Sequence, residues 1–381
     1  MVRRTRPGRL TARAREMEGR FTSRLHDERI AGWFGIWLGI SFTVAFVTGL
    51  VSHFMQHPPG WMVWPSRPVG LYRLTQGTHV IGGLATVPLL LAKLWTVYPK
   101  LWQWPPVRSM AHAAQRAMVS LLVAGALFQL TTGLFNVAYW YPFPFFFPAA
   151  HYWTAYIVFG ALLIHVAGEW AKVRRLRDAA QAAEPAGLSR RGFFVTVAGA
   201  CGLVAITTAG ETFTPLARLA VLAPRRPGVG TQRLPVNTTA LAAGVIRKPD
   251  WRLAVTGAVE RELSLSLADL RALPRHLVRL PIACVEGWSA EATWAGVRLR
   301  DVLHAAGVAP DARVRVESLQ AQGRYRASQV DAPHWHDELT LLALEVNGGP
   351  LALDHGYPCR LIAPDRPGVM QTKWVAKLVV S

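Results

Sequence analysis

The sequence predicts two unlike halves: an α-helical membrane bundle of four spans plus a fifth tethering span, then an α+β, strand-rich domain. Three observations lead there. Apolar residues concentrate before about residue 215, in runs near the roughly 20 residues that a bilayer crossing needs. Beyond that point charged and apolar residues alternate at strand and short-helix spacing. The basic residues cluster in two places that flank the apolar runs, so the formal net charge of +19 is largely a topology signal.

With the charge accounted for in that way, no nucleic-acid partner is expected. At 381 residues the chain is long enough for two ordinary domains. Its three cysteines, Cys201, Cys284 and Cys359, are too few for a disulfide framework.

Residues 1–30 form a basic tail with Arg3, Arg4, Arg6, Arg9, Arg13, Arg15, Arg20, Arg24 and Arg29. Four apolar spans follow, at 31–54, 77–98, 113–140 and 152–171, within a bundle over 31–175. Trp33, Trp61, Trp64, Tyr98, Tyr139, Trp140, Tyr141, Tyr152 and Trp153 stand at their ends, as interfacial belts do. A second basic stretch, with Lys172, Arg174, Arg175 and Arg177, leads into a loop at 176–191 that ends on Arg190 and Arg191. The fifth span covers 192–213.

Between spans one and two only Arg67 and Arg73 occur, and between spans three and four no basic residue. The positive-inside rule therefore puts the N-terminus in the cytoplasm of a bacterial cell. Five crossings of the cytoplasmic membrane leave the C-terminal domain outside. Ser189-Arg190-Arg191-Gly192-Phe193-Phe194 reads either as a plain positive flank or as a twin-arginine export signal.

Ionisable residues within spans are functional candidates. His151 and His165 lie on the fourth span, 14 residues apart. Helical geometry puts them on one face and about 21 Å apart along the axis, one near each surface. His79, at the outer end of span two, is level with His151; His26, just before span one, is nearer the level of His165. His112 competes with His26 for the inner position and His53 with His79 for the outer one. Depth-matched histidines of this kind suit two bis-histidine b haems. Residues 20–175 resemble the di-haem cytochrome b subunits of formate dehydrogenases and hydrogenases. That resemblance implies an outer haem on His79 and His151, an inner one on His26 and His165 (His112 the alternative), and a membrane quinone or quinol as partner.

Residues 214–235 read as a linker, Pro- and Arg-rich from 224, and 236–381 as the second domain. Strands are expected at 251–256, 278–285, 313–319, 339–346 and 360–363, with a tight turn at Asn347-Gly348. Ser266 can cap a helix over 267–273, and Gly307 can close one over 299–306. Cys284, at a strand end before Gly287, reads as a buried structural cysteine or as a soft ligand for a heavy metal.

Two segments carry a second resemblance. Cys284-Val285-Glu286-Gly287-Trp288-Ser289 is one; Gly356-Tyr357-Pro358-Cys359-Arg360-Leu361-Ile362-Ala363-Pro364, with Gly368 and Lys373-Trp374, is the other. Residues 235–381 resemble the sulfite-oxidase family of molybdopterin enzymes, nearest the branch that includes the periplasmic protein-methionine-sulfoxide reductase. The family pattern implies that Cys284 is the catalytic thiolate on molybdenum. It also implies that Arg360, Gln371, Thr372 and Lys373 hold the phosphate of the pterin cofactor. Asn237 matches a cofactor-binding asparagine, Ser318 stands where the family has a threonine, and His355 where the branch has an asparagine.

Glu286 and Trp288 occupy positions at which sulfite oxidases carry arginines, which leaves Arg279, Arg324 and Arg326 as candidates for an anionic substrate. The family's dimerisation domain is not expected, so the catalytic core should be monomeric. The expected function is a membrane-bound molybdenum oxidoreductase that reduces a small or protein-bound S-oxide or N-oxide with electrons from quinol. The alternatives are a sulfite-type oxidase sending electrons inward and a membrane-anchored binding or sensing protein with a degenerate pocket.

Overall fold

The computed structural model describes residues 21, 23, 25–103, 105–178, 189–223, 225 and 227–381. The tail arginines from Arg3 to Arg24 lie outside these residues, as does most of the basic loop. The chain divides into two compact units, one of residues 1–47 and 80–205, the other of 48–79 and 206–381.

Five helices are long and apolar enough to cross a membrane by length and composition. They are α1 (Glu28–Gln56), α2 (Leu71–Val97), α3 (Met110–Val137), α4 (Phe147–Asp178) and α5 (Arg190–Ala209). All five begin earlier than hydropathy predicts, α2 and α4 by the most. The first turns of α2 carry Arg73 and Gln76, polar residues that end an apolar run in sequence but find partners in the folded chain. α4 starts at Phe147, so His151 lies within the helix rather than ahead of it. α5 stops at Ala209, short of the predicted 213, because Glu211 and Thr212 leave the helix to bond elsewhere.

In the first unit Ile30, Phe34, Leu89, Ala92 and Val197 form one apolar cluster, with Phe193 and Phe194 against Phe34. Phe46 stacks on Phe159 at 4.1 Å. The Lys93 ammonium donates to the Ala31 carbonyl at 2.6 Å, so a cation in an apolar helix is satisfied by backbone. Gln129 likewise donates to the His151 carbonyl and to Thr154 Oγ1.

The second unit holds two sheets. One has the order β2 (Leu263–Ser266), β1 (Arg252–Gly257), β10 (Val375–Val380), β5 (Val314–Ser318), β6 (Ala327–Val330), with β1 and β10 parallel and the other pairs antiparallel. The other is antiparallel: β3 (His276–Ala283), β4 (Ser289–Arg298), β7 (Leu341–Val346), with β8 (Gly349–Pro350) and β9 (Arg360–Ile362) both on β7. Short helices α6 (Leu267–Ala272), α7 (Leu299–Ala305) and α8 (Ala332–Trp335) connect them.

The expected cap at Ser266 is a full capping box with Asp269, and the Asn347-Gly348 turn joins β7 to β8. β4 escaped prediction because Ala290, Ala292, Ala295 and Gly296 hide its alternation; it is nevertheless central, and Trp294 on it is fully buried. Each large buried tryptophan satisfies its indole: Trp294 donates to the Leu280 carbonyl, Trp335 to Ala312 and Trp251 to Val375. The predicted linker is more than a tether. Leu234 is buried in the β3–β4–β7 core and Arg225 enters a polar network described below.

Candidate active site

β3 ends at Ala283, so Cys284 opens the turn to β4 rather than lying within a strand to 285. The turn is closed by two backbone bonds, Cys284 N to the Trp288 carbonyl (2.8 Å) and Gly287 N to the Cys284 carbonyl (3.1 Å). Cys284 is 2% exposed, and the Asn237 amide donates to its Sγ at 2.6 Å. Behind that contact, Arg225 donates to Asn237 Oδ1 at 2.8 Å and pairs with Glu286 Oε2, which also accepts from the Trp288 indole. Burial, and then the Glu286 carboxylate, push the Cys284 thiol up to about 12. A metal bound at such a sulfur would hold it as thiolate regardless.

Cys284 lines a cavity of about 110 Å³, together with Asn237, His355, Arg360, Gln371, Thr372 and Lys373. Trp288, Gln320 and Tyr325 complete much of the remaining wall. Arg360 makes no ion pair among the described residues. Its Nη1 donates to the His355 carbonyl (3.2 Å), its buried Nε has no partner, and burial pulls it down to about 9. Lys373 is pulled down to about 7 by burial and by Arg360, its Nζ donating to the Thr238 and Asp354 carbonyls. Two neighbouring cations, Arg360 buried and Lys373 partly buried, bonded mainly to backbone carbonyls make a site that an anion would complete.

The other predicted residues support this wall. Thr372 Oγ1 lies 2.8 Å from Ser328 Oγ. The Gln371 amide ties its own loop, accepting from Ala363 N and donating to the Arg366 carbonyl. His355 donates its Nε2 proton to the Thr231 carbonyl at 2.6 Å. Ser318 does not line the cavity; its hydroxyl donates to the Lys373 carbonyl and so acts one residue removed. None of Arg279, Arg324 and Arg326 lines the cavity either; Arg279 pairs with Glu291 and Arg326 donates to the Ala321 carbonyl.

Sequence reasoning missed Arg225, Glu211, Thr212 and Gln76. Arg225 stood among several arginines in a stretch read as a linker and was not distinguishable there; the others sat at helix ends, where a polar residue is ordinary.

The candidate haem histidines fall in both units. In the first, His151 Nδ1 lies 3.0 Å from Thr132 Oγ1, and the buried Nδ1 atoms of His26 and His165 have no hydrogen-bond partner. The His26 ring lies 5.5 Å from Trp95, while His112 Nδ1 accepts from Arg108 N in a helix cap. In the second, His79 lies against Gly49, where a Cβ would come within 2.7 Å of the ring, and His53 stacks on His57 at 4.8 Å. Among the described residues no group of three or more His, Cys, Asp or Glu side chains is placed to hold a metal ion.

Residues 240–381 match the family model described as the oxidoreductase molybdopterin binding domain. Mitochondrial sulfite oxidase of Drosophila melanogaster is 31% identical over 166 residues, covering 37% of this chain and 29% of that protein. The uncharacterized oxidoreductase YuiH of Bacillus subtilis is 34% identical over 126 residues, 33% of this chain and 62% of that protein. The sulfane dehydrogenase SoxCD of Paracoccus pantotrophus, a crystal structure, matches with a TM-score of 0.33 and 28% identity over 35% of this chain and 39% of its own. The chain thus spans less than two thirds of these relatives.

The residues present suit the cofactor that this domain type implies: a buried thiol for a soft metal, and a buried guanidinium with an unpartnered Nε beside a depressed lysine for a phosphate. The C-terminal part of the chain is therefore an oxidoreductase molybdopterin-binding domain of the sulfite oxidase family.

Proposed function

We propose that the protein is a membrane-bound molybdenum oxidoreductase that takes electrons from the quinone pool through b haems and reduces an extracytoplasmic S-oxide or N-oxide. The observation that carries this reading is the cavity in which Cys284 lies with Arg360 and Lys373. Molybdenum, when bound, supplies two-electron oxygen-atom transfer, and haems supply electrons singly.

The chain's own residues divide the work. Cys284 would bind the metal, with the Asn237 N–H orienting its sulfur. Arg360, Lys373, Thr372 and Gln371 would hold the pterin phosphate, with Ser318 fixing the Lys373 backbone and His355 the adjoining wall. Trp288 and Tyr325 border the cavity and favour a neutral, polarizable substrate. Among the described residues no lysine or arginine other than Arg360 and Lys373 lines it, which supports an oxide over an anion such as sulfite. Sulfite-type oxidation, with electrons passed inward, is the second reading; the sulfite oxidase among the relatives favours it.

His79 with His151 and His26 with His165 (or His112) would hold the outer and inner haems. The reading is supported by the Thr132 contact to His151, of the kind that orients a metal-binding imidazole, and by the unpartnered Nδ1 atoms of His26 and His165. The N-terminus would then be cytoplasmic and residues 236–381 periplasmic.

One preparation tests the whole. Purified from membranes, the protein should contain molybdenum and a dithionite-reducible Soret band, and should oxidise reduced viologen with an S-oxide or N-oxide. A preparation with molybdenum but no Soret band sinks the haem arm. Turnover with sulfite alone sinks the proposed direction.

A further inference from the structure

The turn that carries Cys284 is held from outside the matched domain. The Gln76 side-chain amide, on α2, donates to the Val285 carbonyl at 2.6 Å. Thr212, just past α5, donates from Oγ1 to the Gly287 carbonyl at 2.7 Å, and Ser289 N donates to the Glu211 carbonyl at 2.8 Å. Residues 285, 287 and 289 are thus each gripped, while the Cys284–Trp288 and Gly287–Cys284 backbone bonds close the turn from within. Gln76 and Thr212 are buried, 6% and 1% exposed, so these bonds are shielded from water.

The approach is tight. A Cβ at Gly77 would lie 2.4 Å from Thr212 Cγ2, so only glycine lets the two segments meet here. The start of α2 is fixed as well: Asp365, in the loop that leads to Gln371, accepts from Tyr72 N at 2.7 Å as a helix cap does. Tyr72, Gln76 and His79 stand at i, i+4 and i+7, on one face of α2.

We propose that Gln76 and Thr212 are positioning residues for Cys284, setting the metal-binding thiolate from the helix that also carries His79. The inference rests on the reading of Cys284 as the metal ligand. It assigns to two residues outside 240–381 a part in the catalytic site.

Gln76→Leu and Thr212→Val, each in the full chain, test it in two measurements. In cofactor-free protein, amide exchange over residues 284–289 should rise roughly two- to tenfold, the equivalent of one hydrogen bond's net free energy. In protein loaded with cofactor, the molybdenum paramagnetic resonance signal should shift from that of the wild type. Wild-type exchange in both variants would overturn the proposal, and so would faster exchange with an unshifted signal. If Gln76→Leu does not assemble, Thr212→Val decides alone. If the wild type holds no molybdenum, the proposed function falls, and exchange in the cofactor-free variants still decides whether the clasp sets the turn.

Discussion

The Asn237 side-chain amide donates a hydrogen bond to Cys284 Sγ across 2.6 Å, joining residues 47 positions apart. Its other end is held by Arg225, which pairs with Glu286 as well, so the donor is fixed before any ligand arrives. A sulfur that carries charge gains most from such a donor.

Asn237→Leu removes the donor and keeps the volume. A hydrogen bond to a charged group contributes about 1.5–3 kcal/mol, so the variant should retain the fold and lose part of its molybdenum. Metal content per folded protein is the measurement. Cys284→Ser should lose metal and turnover together; unchanged turnover would remove ligation from the argument.

Arg360→Met should act in opposite directions on two observables. It removes a buried cation that has no ion-pair partner among the described residues, so cofactor-free protein should unfold at a higher temperature, by the equivalent of about 1–3 kcal/mol. On the proposed reading it also removes a phosphate ligand, so cofactor content should fall. A drop in both would make Arg360 structural.

On the proposed reading, Lys373 should give cofactor binding a pH dependence. Burial and Arg360 hold it down to about 7, whereas a bound phosphate favours its charged form. Binding then takes up a proton once the pH exceeds about 7. Affinity should fall as pH rises above that value, and Lys373→Met should flatten the profile.

Glu211 sets a pH dependence of stability. Burial and Glu286 push it up to about 8 from an ordinary 4.5. The folded state therefore keeps a proton that the unfolded chain releases. That stability is complete below about 4.5 and is lost as pH rises toward 8. Glu211→Gln should raise the melting temperature at pH 8 more than at pH 5.

His151→Leu and His165→Leu test the haem arm separately. Each should halve the haem content, and the two should leave residual bands at different reduction potentials. Equal wild-type haem in both would exclude the fourth helix as the haem-binding element.

Much of this was legible in linear order. The apolar runs of α1 to α5 record themselves in composition, being long and apolar enough to cross a membrane. Cys284, Arg360 and the 371–373 run stood out by motif, and the capping box at Ser266 by local bonding. β4 did not, since its small residues carry no alternation and its burial comes from the strands on either side.

The sequence by itself determined where apolar helices end and a sheet domain begins, and which residues could bind a metal and a phosphate, because both depend on residue type and near-neighbour spacing. Only the tertiary structure decided that Arg225 stands behind Asn237, that Ser318 is set back from the cavity, and that Gln76 and Thr212 hold the Cys284 turn. Those contacts join residues as far apart as Gln76 and Val285, 209 positions in the chain. Such pairings are set by how helix ends and sheet edges come together, and no local pattern in the sequence records them.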